Sequence, residues 1–249
     1  MIIINTVTKV FNEGKLNEVC ALQDINLTIQ SKEFVVIIGA NGSGKSTLMN
    51  IISGAEKLTS GSILINDKDV TDIPEYKRSE WISRVFQNPL SGTAPNLSII
   101  ENFRLASLRT QSKMLSVGIT EQFKKTVQDK ISMLEMGLEN KINQPMGTLS
   151  GGQRQALTLL MSVMDSTEML LLDEPTAALD PKIAHTIMQT AEKIIQQLNL
   201  TAIFITHNLK DAHQYGNRLL RLQDGRIVND LNAATKSSFS PNELLEWFM

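Results

Sequence analysis

Eight contiguous residues, Gly39 to Ser46, read GANGSGKS and follow the apolar run FVVII. The run LMNIIS comes directly after Thr47, so the pattern G-x-x-x-x-G-K-[ST] sits between an expected strand and an expected helix. Gly39, Gly42 and Gly44 let the backbone turn tightly, with Asn41 and Ser43 between them, so that successive N–H groups face one anion. A helix starting near Lys45 adds the positive end of its dipole. In such a loop Lys45 reaches the β- and γ-phosphates, Ser46 offers a hydroxyl to Mg²⁺ and Thr47 assists at the α-phosphate of ATP. A chain carrying this loop is committed to a strand that runs straight into a helix N-terminus.

The remaining apolar runs extend that commitment. Strand-like segments lie at 22–29, 34–38, 62–65, 82–86, 168–172, 201–205 and 217–222, several of them nearly continuous, as strands buried on both faces are. Between them are helical periodicities. The clearest is 181–198, where Ile183, Ile187, Met188, Ala191, Ile194, Ile195 and Leu198 recur at spacings of three and four. Strand–helix alternation predicts an α/β fold with a mainly parallel sheet covered by helices. The stretch from about 90 to 150 reads differently. Ile99 to Leu108 and Glu121 to Met136 look helical, and Pro89, Gly92, Pro95, Pro145 and Gly147 punctuate the ends. It is expected to form a helical insertion in the core.

A second acidic motif follows in MLLLDE, residues 169–174. Two acids ending an apolar strand destabilise the fold unless they are paired or used. Asp173 is placed to hold Mg²⁺, directly or through water, and Glu174 to accept a proton from an attacking water.

Composition sets the outer bounds. The chain has 249 residues, and 42% of them are hydrophobic, ample for a packed core. A formal net charge of -2 argues against a nucleic-acid partner held by bulk electrostatics. Cys20 is the only cysteine, so no intramolecular disulfide is expected. Apolar runs such as Phe34 to Ile38 fall far short of the ~18 residues that span a bilayer. The start MIIINTVTKVF lacks the features of a signal peptide. Any membrane contact is therefore expected to go through another protein.

Residues 149–153 read LSGGQ. With the phosphate loop upstream and LLLLDEPTAALD downstream, the chain resembles the ABC ATPase family over nearly its whole length. The resemblance implies a P-loop NTPase core with a mainly parallel sheet, N-terminal antiparallel β elements and an inserted α-helical subdomain. The whole of 1–249 would be one domain, with the helical subdomain at about 90–165. It also implies roles. Phe11 stands where the family has an aromatic stacked on adenine, Phe here in place of the usual Tyr. Gln87 resembles the glutamine that touches Mg²⁺ and the attacking water. Ala177 to Asp180 resemble the loop between two nucleotide sites. His207 looks like the histidine that contacts the γ-phosphate. Ser150, Gly151, Gly152 and Gln153 would form a second anion-binding surface that faces ATP held by the opposite subunit.

The function implied is that of an ATP-hydrolysing homodimer at the cytoplasmic face of a membrane, docked beneath a separate permease. THNLKDAHQYGNRLLRLQDGRIV and QNPLSGTAPNLSIIENF are similar to ATPases of bacterial importers that also use a substrate-binding lipoprotein. A soluble ABC ATPase acting on ribosomes or DNA is the main rival, but no second cassette, coiled-coil insertion or cysteine cluster supports it. A non-hydrolysing ATP-binding regulator is disfavoured by Glu174 and His207. Pro241 to Phe248 read as a short helix at the domain edge.

Overall fold

The computed structural model describes residues 1–110, 118–177, 179–240 and 243. The expected helix over 241–248 falls outside these residues except at Glu243, as does Ala178 of the segment Ala177 to Asp180.

Six strands form the central sheet, in the order β10-β9-β3-β8-β7-β6. β3 (Phe34–Ile38), β7 (Met169–Asp173) and β8 (Thr201–Ile205) are buried at every residue, which is why their sequences run apolar without alternation. β6 (Ile82–Val85) and β9 (Arg218–Gln223) flank them, and all five run parallel. β10 (Arg226–Leu231) closes the edge as an antiparallel hairpin with β9. Its two-residue turn, Asp224 and Gly225, has φ of 49° and 75°, the type I′ conformation that matches strand twist. The second sheet is antiparallel, in the order β2-β1-β4-β5. It comprises β1 (Ile2–Phe11), β2 (Val19–Ile29), β4 (Ser60–Ile65) and the short β5 (Lys68–Asp69).

Two of the longer strands escape the periodicity of the sequence, as does the two-residue β5. Along β1 the in–out alternation is interrupted by register shifts between Ile4 and Val7 and between Val7 and Lys9, and Thr6 has φ of 44°. β10 alternates only half-buried and exposed positions, so no apolar stripe marks it.

Alternation across β3 divides the interior. Val35 and Ile37 join Ile2, Ile4, Leu22 and the apolar face of α1 (Lys45–Ser53) in one core, between the two sheets. Phe34, Val36 and Ile38 face a second core shared with the helices on the opposite side. Those helices are α3 (Ile99–Ala106), α4 (Glu121–Ser132), α5 (Gly151–Ser162) and α6 (Pro181–Gln197), with α2 (Glu75–Arg78), α7 (Leu209–Gln214) and α8 (Ala233–Ser238) completing the set named here.

Between β6 and β7 the described chain is helical, with a single isolated bridge, Ser98 to Pro145. α3 starts at a capping box in which Ser98 accepts from the Glu101 N–H and Glu101 returns a bond to the Ser98 N–H. α4 starts at Thr120, whose side chain accepts from the Phe123 N–H. Ile99, Ile100, Phe103, Val127 and Ile131 turn inward against α5.

Candidate active site

Because β3, β6, β7 and β8 are parallel, their C-terminal ends share one edge of the sheet. The phosphate loop follows β3, Gln87 follows β6, Asp173 ends β7 with Glu174 next to it, and His207 follows β8. Four segments remote in sequence thus reach one place, the usual ligand edge of an open α/β sheet.

The loop is built around two close approaches. A Cβ at Gly39 would collide with the Leu222 carbonyl oxygen, and one at Gly44 would lie 2.6 Å from the Ala21 carbonyl oxygen. Gly44 is also the left-handed N-cap of α1, with φ of 101°. Asn41, Gly42 and Ser46 are exposed, Thr47 is half-buried, and Ser43 is buried with its hydroxyl unpartnered. Lys45 is only 6% exposed, and its ammonium donates to the carbonyls of Gly39 and Ala40 at 2.8 and 2.9 Å. Burial lowers its pKa, while the charges of Glu174 and Asp173 act in the opposite sense.

One carboxylate oxygen gathers three of the expected residues. Glu174 Oε2 accepts from Gln87 Nε2 at 3.2 Å and lies 3.1 Å from His207 Nδ1. An ionised carboxylate can only accept, so in that pairing Nδ1 carries the imidazole proton. Glu174 itself has φ of 44°, and its N–H donates to the Ile205 carbonyl of β8 at 3.0 Å.

Asp173 is 7% exposed and is met by a residue the sequence motifs do not single out. Arg84, on β6, donates to Asp173 Oδ2 at 2.6 Å and to Asn50 Oδ1 on α1 at 2.7 Å. Its only sequence signal is a charge within a short strand that also holds Ser83. Arg84 also lines a cleft of about 770 Å³, together with Tyr76, Leu105 and Arg109.

The oxygens of Ser46, Gln87 and Asp173 make a hard donor set that suits Mg²⁺. Among the described residues no group of three or more His, Cys, Asp or Glu could hold a metal by itself. A cation here would complete its shell with water and phosphate oxygens, as Mg²⁺ commonly does.

Ser150 to Gln153, expected to form the second anion-binding surface, open α5. Ser150 caps α5, accepting from the Gln153 N–H at 3.3 Å, and Gln153 Oε1 accepts from the Ser150 N–H at 3.2 Å. Ser150 and Gly151 are exposed, whereas Gly152 is buried because a Cβ there would lie 2.8 Å from Ile183 of α6. Two residues beyond Gln153, the buried Gln155 donates to the Phe86 carbonyl at 2.8 Å, immediately before Gln87. Phe11 ends β1 with the Lys9 ammonium 4.5 Å from its ring centre, and no ring contact joins it to the phosphate loop among the described residues.

Residues 22–177 match the family model described as ABC transporter. A tyrosine transport ATP-binding protein of Clostridioides difficile (strain R20291) is 42% identical over 233 residues, covering 91% of this chain and 90% of that protein. The spermidine/putrescine import ATP-binding protein PotA of Haemophilus influenzae (strain ATCC 51907 / DSM 11121 / KW20 / Rd) is 35% identical over 209 residues; the match covers 84% of this chain and 53% of PotA, about half its length. Among solved structures, a dimeric ATP-binding cassette in a post-hydrolysis state with ADP and Pi superposes with a TM-score of 0.81 at 31% identity, over 94% of this chain and 99% of that one.

Proposed function

Because this chain belongs to the ABC transporter family, we propose that it is the ATP-hydrolysing subunit of an importer, working as a homodimer beneath a separate permease. The observation that carries this reading is the meeting of Gln87 and His207 on one oxygen of Glu174. That arrangement aims a base and leaves its Oε1 to take a proton from water.

Lys45 and the N–H groups of residues 39–47 hold the phosphates, and Phe11 stacks on the adenine. Ser46, Gln87 and Asp173 would hold Mg²⁺, which would supply charge neutralisation at the phosphates. Glu174 accepts the proton of the attacking water, Gln87 orients that water, and His207 steadies the carboxylate and faces the γ-phosphate. Ser150 to Gln153 complete the site from the second copy, so that bound ATP touches both chains and its cleavage removes the link. A ligand moves an equilibrium only through such a difference in affinity between states.

The relatives' names favour import, and a substrate-binding lipoprotein outside the membrane is the third component of this scheme. Among the described residues no helix is long and apolar enough to cross a membrane. The permease therefore supplies the passage, and this chain acts peripherally on the cytoplasmic side. The helical segment near 90–165 serves as the moving lobe.

Glu174→Gln tests the reading. The expected result is retained nucleotide binding, turnover reduced by roughly 10²–10⁴-fold, and an ATP-bound dimer seen by size-exclusion chromatography. Hydrolysis at the wild-type rate would place the base elsewhere.

A further inference from the structure

Arg84 is a half-buried cation with an unusual set of partners. Its neighbours Ile82 and Val85 are buried, and its own side chain is 13% exposed. A guanidinium there must be paired. One terminal nitrogen meets Asp173 Oδ2 at 2.6 Å, the other meets Asn50 Oδ1 at 2.7 Å, and the carbon of the fork lies 4.8 Å from the centre of the Phe86 ring. Its Nε is buried without a partner. Asn50 belongs to the helix that begins at Lys45, and Phe86 immediately precedes Gln87. One fixed positive charge therefore touches the phosphate-loop helix, the carboxylate placed to hold Mg²⁺, and the segment leading to Gln87.

Two effects of this contact on a divalent cation oppose each other. Orienting Asp173 would strengthen binding, and occupying Oδ2 with a positive charge would weaken it. The orientation is largely supplied without Arg84, because Asp173 is a residue of β7 paired with Ile205 and is 7% exposed. The charge contact is direct, and with side chains only 13% and 10% exposed it is less screened than a surface pair.

We propose that Arg84 is a positioning residue that competes with the divalent cation for Asp173 and thereby sets metal affinity in the nucleotide site. This rests on the proposed function, in which Asp173 serves the metal.

Mn²⁺, followed by electron paramagnetic resonance, is the probe. It is titrated into the full chain and into Arg84→Met, each saturated with a non-hydrolysable ATP analogue. Nucleotide affinity in excess chelator is measured in parallel. Arg84→Met should bind Mn²⁺ at least about tenfold tighter, about 1.4 kcal/mol, with metal-free nucleotide affinity unchanged. Arg84→Lys, which keeps the charge but cannot reach both oxygens as a fork, should fall between. Should a thermal melt show Arg84→Met unfolded, Arg84→Gln keeps a polar side chain without the charge and carries the same expectation. Unchanged or weaker Mn²⁺ binding in a folded variant that still binds nucleotide would overturn the competition and leave the ATPase reading intact. A wild-type chain that binds no nucleotide under either condition would overturn both.

Discussion

At Glu174 the chain leaves β7 with φ of 44°, a left-handed conformation that costs an L-residue roughly 1–2 kcal/mol. The turn carries Glu174 out of the strand's alternation and toward Gln87 and His207, 87 and 33 residues away in sequence. Strain of this kind persists where surrounding bonds over-determine it, here the Glu174 N–H on Ile205 and both side-chain partners on Oε2. Lys45 is held just as firmly, by two carbonyls of its own loop. Lys45→Ala removes the point charge and frees those carbonyls. ATP affinity, measured by calorimetry, is expected to fall by about ten- to a hundredfold, the worth of a charged hydrogen bond of about 1.5–3 kcal/mol. Unaltered affinity would remove Lys45 from the site.

The helices and strands that carry these residues are secured by buried cations. Arg78, 2% exposed, donates to the carbonyls of Ile51, Ile52, Thr71 and Ile73. It adds donors to the carbonyls of Ile51 and Ile52 at the C-terminal end of α1, where a positive charge also suits the dipole. Arg78→Leu should lower unfolding free energy by about 3 kcal/mol in urea denaturation, with the phosphate loop loosened because α1 carries it. Lys236, on α8, donates to the carbonyls of Tyr215 and Gly216, and burial lowers its pKa to about 8. The folded chain therefore binds fewer protons than the unfolded one between that value and the ordinary lysine range. Stability should rise with pH from about 8, by on the order of 3 kcal/mol if fully expressed. Tyr215, pushed up to about 12 chiefly by burial, works oppositely once unfolded tyrosine ionises near pH 10. A maximum near pH 10 in urea midpoints, lost in Lys236→Met, is the expected signature.

Legibility varied among these elements for physical reasons. The strands at 34–38 and 201–205 announced themselves because central parallel strands are apolar throughout, and α6 because one face alone is buried. The antiparallel β1 was hidden by its bulges, and β10 by a half-exposed edge position, although the Asp224–Gly225 pair carries a hairpin signal. The phosphate loop is legible because its chemistry is contiguous. The Arg84–Asp173 pair joins residues 89 apart, and no local spacing encodes such a contact.

At the scale of the whole molecule, one face of the parallel sheet packs against the β sheet and α1, and the other against the helices. The residues proposed to hold the nucleotide belong mainly to the strand ends, while Ser150 caps a helix of the second layer. In the proposed pair, Ser150 meets the nucleotide of the other copy. Ser150→Arg should therefore leave ATP binding by one chain within about twofold yet abolish dimer closure and turnover, since a surface substitution rarely shifts stability by much beyond the lost cap, about 1 kcal/mol. Light scattering with ATP and phosphate release would report the two effects, and normal turnover would discredit the shared site.

The amide of Gln155 ties the start of α5 to the backbone just ahead of Gln87. In a head-to-tail pair, each chain would thus read its own nucleotide with one end of a stiff tie-rod and its neighbour's with the other. In the proposed pair, slack at either pocket would pass along this contact, and the two pockets are expected to load and empty in step rather than as independent machines.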